Sequence, residues 1–122
     1  GMMFSGVPNL IQTFGYINAS WTLRADLNSE FVCALLKRMD ETGTTQCVPL
    51  LRDFELEMGG QDWVTDFNPG YFKRGNHLFP RQGSHSPWHN TQDYLLDLKL
   101  LARGLPDDGV LQFQKTGKAD AA

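Results

Sequence analysis

Long apolar runs are missing from this chain: nowhere do its 122 residues approach the roughly 18 to 20 consecutive apolar positions that a membrane-spanning helix needs. Its amino end, GMMFSGVPNL, has no basic stretch followed by an apolar one, so no export signal is read there and a cytoplasmic address is expected. Gly1 ahead of two methionines reads as a remnant of tag removal, with Met2 as the start of the frame. Cysteine is scarce. Cys33 and Cys47 are neither a disulfide framework nor a zinc ligand set, and reduced thiols are expected. Basic charge is not in excess either, with 11 Lys and Arg against 14 Asp and Glu and a net charge of -3. Nucleic-acid binders carry a basic patch or stripe, and here the cations are scattered, so nucleic acid is excluded as a partner.

Catalytic motifs are equally sparse. Neither GxGxxG nor GxxxxGK[ST] occurs, so the chain has no glycine-rich phosphate cradle of its own, and there is no GxSxG elbow. His85 and His89 differ by four, which would put two ligands on one helical face, but Pro87 lies between them and serines flank His85. Ser84 and His85 are adjacent, and a nucleophile and its base are assembled in space, not side by side in sequence. The acidic pairs Glu55 with Glu57 and Asp107 with Asp108 read as solvated surface. No metal ligand and no catalytic residue is assigned.

What is present is the composition of a folded domain: 41% hydrophobic and 20% charged residues, with three Trp and eight Phe. At this length one core is expected. Leu10 to Phe14 reads as a short strand ended by Gly15. From about Ala19, Leu23, Leu27, Phe31 and Leu35 recur every four residues, widened by Val32, Leu36 and Met39, which predicts a one-faced helix ending before Gly43.

Thr45 to Leu51 is a strand that Pro49 confines to an edge. Trp63 to Phe67 has strand character, Asn68-Pro69-Gly70 is a turn or helix start, and short helical turns follow until Pro80. The segment 81–88 is loop. A second amphipathic helix runs from about Thr91 to Arg103, capped by Asn90, with Tyr94, Leu95, Leu98, Leu101 and Ala102 on one face. Val110 to Phe113 is a last strand, and residues 115–122 should fray. The expected fold is therefore α+β: two main amphipathic helices with three or four short strands in a small sheet, one compact unit over residues 2–114.

The stretch FGYINASWTLRADL, Phe14 to Leu27, places Asn18, Ser20 and Thr22 around Trp21 where a strand hands over to a helix. With Ser5-Gly6-Val7-Pro8-Asn9 before it, this stretch closely resembles one near the carboxyl end of bacterial flavin-containing monooxygenases of the Baeyer-Villiger type. Glu30-Phe31-Val32-Cys33, Leu35-Leu36 and Met39-Asp40 resemble the helix that follows in that family. Gly70-Tyr71, Pro80-Arg81-Gln82-Gly83, Pro87-Trp88 and Gln92 to Leu98 resemble its carboxyl-terminal tail.

The resemblance implies an FAD enzyme that takes hydride from NADPH and, through a flavin peroxide, inserts or transfers oxygen to a ketone or a soft sulfur or nitrogen centre. The family's two dinucleotide motifs lie upstream of the matched region. The chain is thus expected to be the carboxyl-terminal piece of such an enzyme, inactive alone and binding neither FAD nor NADPH tightly by itself. The alternative is a stand-alone binding or oligomerisation module derived from that tail. The resemblance implies that Asn18, Ala19, Ser20, Trp21 and Thr22 are cofactor-binding, supported by the unpaired N–H groups and partial positive charge of a helix amino terminus, which suit the flavin pyrimidine edge; the alternative is a plain cap on a core helix. Ile17 and Arg24 depart from the family's usual Thr and Lys, which bears on side-chain contacts but removes no backbone donor. Without the upstream FAD domain the apolar side of the helix from Ala19 to Met39 loses its packing partner, and a homo-oligomer through that face is expected.

Overall fold

The structure, a computed structural model, describes residues 2–63 and 70–116. The expected strand at Trp63 to Phe67 and the turn at Asn68-Pro69 fall mostly outside those residues, as does most of the carboxyl-terminal tail.

The most regular element forms where the apolar residues recur every fourth position. Helix α1 spans Trp21–Thr42. Ser20 caps it, its backbone extended and its Oγ accepting from the Thr22 N–H at 3.3 Å. Gly43 ends it in the left-handed region at φ 67, its N–H and that of Thr44 returning to the Asp40 and Met39 carbonyls. A glycine reaches that conformation without the side-chain clash other residues suffer. Leu27, Phe31 and Leu35 are buried as the spacing predicts, but Arg24 and Asn28 are buried on the same side and Leu36 is left exposed.

Strand β1 (Gln46–Pro49) pairs antiparallel with β2 (Leu111–Gln114), with Cys47 opposite Phe113 and Pro49 opposite Leu111. Among the described residues these two strands are the whole sheet, where three or four were expected. Leu10 to Phe14 does not form the first strand. Asn9, in the left-handed region at φ 56, takes the free edge of β1 itself: its N–H donates to the Cys47 carbonyl, its Oδ1 accepts from the Cys47 N–H, and its Nδ2 donates to the Thr45 carbonyl. One asparagine thus supplies what a strand would have, and the residues after it leave the sheet without a ladder partner. The main core lies between α1 and the sheet, where Phe31, Leu35 and Cys47 are buried against Met3, Ile11, Met39, Leu101 and Phe113. Burial of a single Leu or Phe is worth about 1.5–3 kcal/mol, so this cluster is the main stabilising contact.

Short helical turns, α2 (Gly70–Gly75) and a 3-10 turn at Asn76–Leu78, stand where they were expected. Helix α3 is shorter than predicted, Tyr94–Leu101, and Asp93, not Asn90, caps it by accepting from the Leu96 N–H at 3.1 Å. Asn90 is drawn inside instead, donating from Nδ2 to the Trp63 carbonyl, because a buried amide there can satisfy a loop backbone. The face of α3 is also corrected: Leu95 is 67% exposed, Leu96 43% and Leu98 40%, whereas Asp97 is buried against α1. No helix among the described residues is long and apolar enough to cross a membrane.

Candidate functional site

The segment from Gly15 to Thr22 has no strand or helix hydrogen bonding until α1 begins, so its shape must come from outside itself. Four contacts supply it. Trp21 lays its indole against Gly15: a Cβ on that glycine would fall 2.2 Å from Trp21 Cγ, a separation no side chain allows. Phe14 packs on the same indole, ring centres 5.4 Å apart, and meets Trp63 edge to face at 5.5 Å. Gln92 accepts from the Ile17 N–H at 2.9 Å and donates to the Gly15 carbonyl at 3.2 Å. Tyr16, buried, donates from its hydroxyl to Asp97 Oδ2 at 2.6 Å.

Asp97 is the hub of this support. Its carboxylate also accepts from Arg24 Nη1 at 2.6 Å and from the Thr91 hydroxyl at 2.6 Å, and the ion pair with Arg24 is 8% exposed on each side. Burial, with the hydrogen bond to Asp97 second, pushes the Tyr16 phenol up from 10.0 to about 12, so it stays a neutral donor. The pair joins the first turns of α1 to the middle of α3.

On that platform Asn18, Ala19, Ser20 and Thr22 are exposed and Trp21 is 54% exposed. The Ser20 hydroxyl lies 2.7 Å from the Thr22 hydroxyl, completing a polar helix start that faces outward. The five residues singled out in the sequence therefore form one continuous exposed surface at a helix amino terminus. Its small residues leave room for a flat polar edge to approach, and its amides and partial positive charge suit an acceptor-rich or anionic one.

The second polar centre is one the sequence concealed. Glu55, expected at the surface, has no exposed area. It accepts from Arg52 through Nε at 2.7 Å, Nη2 at 2.8 Å and the backbone N–H at 2.9 Å, and from Trp88 Nε1 at 2.8 Å; His85 Nε2 lies 2.6 Å away. Arg52 above all, with the other hydrogen bonds, holds this carboxyl well below the usual carboxylate range. The Arg52 to Glu55 spacing of three was the available signal, since it places both on one side of a helical turn. Ser84 Oγ reaches His85 Nδ1 only at 3.4 Å, and His85 is spent on Glu55, so the cluster ties the loop 81–88 to the turn at Asp53–Glu55.

His77 and His89 are exposed, and among the described residues no three His, Cys, Asp or Glu side chains gather as a metal site. Cys33 is exposed and Cys47 buried, both free, and burial raises the Cys47 thiol. A cavity of about 760 Å³ opens between the sheet, the end of α3 and the loops 58–63 and 80–89, walled by Phe31, Met58, Trp63, Trp88 and Leu101. Arg24 and Asp97 touch it, whereas Asn18 to Thr22 do not.

Comparison with known proteins gives this geometry a context. The FAD-containing monooxygenase EthA of Mycobacterium tuberculosis is 47% identical over 119 residues, covering 94% of this chain and 23% of that protein. EthA of Mycolicibacterium smegmatis is 43% identical over 122 residues, covering all of this chain and 24% of the relative. The "Probable FAD-binding monooxygenase AlmA" of Acinetobacter baylyi is 40% identical over 115 residues, with 94% and 23% covered. This chain thus spans about a quarter of the length of the relatives it matches. No family model and no solved structure matches it. The chain corresponds in sequence to the carboxyl-terminal region of bacterial FAD-containing monooxygenases.

Proposed function

We propose that this chain is the carboxyl-terminal part of a cytoplasmic FAD- and NADPH-dependent monooxygenase of the Baeyer-Villiger type. In this reading Asn18, Ala19, Ser20, Trp21 and Thr22 form one side of the flavin seat. The observation that carries the reading is the coincidence of identity along nearly the whole chain with an exposed, rigidly backed helix amino terminus at the residues in question. When bound, the flavin supplies hydride acceptance from NADPH and transfer of one oxygen atom to a ketone or a soft sulfur or nitrogen centre. The chain's own contribution is binding and orientation. Ser20 holds the first turn of α1 by accepting the Thr22 N–H, the amides of Asn18 to Trp21 face the electron-rich edge, and Trp21, braced on Gly15, closes the seat at one side.

Alone the chain holds one side of that seat, so titration with FAD is expected to give no saturable binding tighter than about millimolar. The test is a chimera in which residues 2–116 replace the matching region of EthA. Retention of FAD by the chimera, with oxidation of NADPH, is the expected result, and a folded chimera that holds no flavin overturns the reading. A second reading is a non-catalytic oligomerisation module; the face expected to be open, on the helix from Ala19 to Met39, is covered within this chain by Phe31 and Leu35 packing toward the sheet, and the exposed Leu95, Leu96 and Leu98 of α3 favour this reading instead. Tight self-association together with failure of the chimera would select it.

A further inference from the structure

The amides of Asn18 to Trp21 can serve a cofactor only if they are held still, yet that segment makes few contacts of its own. What fixes it comes from a loop more than seventy residues away in sequence. Gln92 uses both ends of its amide on the backbone before α1, Oε1 receiving the Ile17 N–H at 2.9 Å and Nε2 giving to the Gly15 carbonyl at 3.2 Å. This is the pairing a neighbouring strand would offer, delivered by one side chain. A third contact, from Nε2 to Asn90 Oδ1 at 3.5 Å, steers the amide.

The backbone of Gln92 is itself unusual, at φ 51 in the left-handed region that residues other than glycine seldom occupy. Such a conformation persists where the surroundings over-determine it, and here it places the side chain between α3 and the turn. Trp21 also lies on Gly15, so an amide and an indole together hold the Gly15–Ile17 backbone.

We infer that Gln92 is a positioning residue for the flavin-facing turn: it touches no cofactor and acts by fixing where the amides of Asn18 to Trp21 stand. The inference rests on the flavin reading above and adds to it a residue that the seat itself does not contain.

Two measurements test it. In the 122-residue chain, amide hydrogen exchange is followed residue by residue in Gln92→Ala and Gln92→Glu. Loss of the clamp in Gln92→Ala speeds exchange at Ile17 and its neighbours about tenfold, the scale of one hydrogen bond, with less than about twofold change from Leu27 to Leu35. Gln92→Glu keeps the acceptor for the Ile17 N–H and loses the donor to Gly15, so Ile17 stays protected, and this variant decides the matter if Gln92→Ala does not fold. Uniform acceleration along α1, or none at Ile17, marks a merely structural role and overturns the inference.

In the EthA chimera, Gln92→Ala shifts the visible absorption of bound flavin, as does Ala19→Trp, while Lys37→Ala does not. If Ala19→Trp perturbs the flavin and Gln92→Ala leaves it unchanged, the positioning role fails and the flavin seat stands. If neither perturbs it, both fall.

Discussion

Replacing Asp97 by Ala removes the carboxylate on which α1 and α3 meet. Arg24 would be left 6% exposed with a positive charge and no counter-ion, and the Tyr16 and Thr91 hydroxyls would lose their acceptor. Breaking a buried pair by deleting one partner costs about 3–5 kcal/mol, and a stranded neutral donor about 1–3 kcal/mol before water reaches it. These terms overlap, so about 4 kcal/mol is expected for the whole change. With a urea slope of about 2 kcal/mol per molar, the unfolding midpoint drops by about 2 M. For a domain whose total stability is about 5–15 kcal/mol, that is a large fraction. The companion variant Arg24→Met with Asp97→Leu removes both charges and recovers the part of the loss due to the stranded charge, while the Tyr16 and Thr91 hydroxyls stay without their acceptor. A midpoint change below about 0.5 M for Asp97→Ala, or a double variant as unstable as the single one, would show that the pair does not hold the helices together.

Other perturbations separate the remaining contacts. Gly15→Ala pushes a methyl into the Trp21 ring, which must swing away from Phe14; a destabilisation of about 1–3 kcal/mol with altered tryptophan fluorescence is expected, and an unchanged emission would count against the packing. Because Glu55 is depressed in the folded state, its contribution to stability is present above the ordinary carboxylate value of 4.5 and is lost as pH falls below it, so Glu55→Gln flattens the acid limb of stability against pH. Tyr16 has the opposite sense: its raised folded value means stability declines as pH climbs from 10.0 through about 12, and Tyr16→Phe removes that decline. The proposed self-association through the open face of α3 predicts that Leu95→Lys with Leu98→Lys yields a monomer by light scattering; oligomers that persist unchanged refute this route.

Periodicity reached the long helix and its ends because they are local: Ser20, the fourfold apolar recurrence and Gly43 are read within one segment. The partnering of Leu10 to Phe14 was not local. Its strand propensity was real, but Asn9 had taken the edge of β1, which only the fold reveals. Asp97, the one acidic residue on α3, marked the buried side of a helix that hydrophobicity turned the wrong way round, because one carboxylate with three partners outweighs leucines that remain in solvent. For the candidate site, the helix start at Ser20 was legible from its capping residue, and the flavin role proposed for Asn18 to Thr22 comes from the family resemblance. Gln92 was not, since its function lies in a left-handed backbone and two contacts to a distant turn.

The measurement that bears most directly on the flavin seat is the FAD content and visible spectrum of the EthA chimera carrying Ala19→Trp. Ala19 is exposed at the amino terminus of α1, so the folded chain accommodates the larger side chain while the approach to its amides is blocked. Loss of bound FAD or a displaced flavin spectrum, at unchanged thermal stability of the apoprotein, is the predicted result. Full FAD occupancy with an unaltered spectrum would contradict the placement of Asn18 to Thr22 against the cofactor.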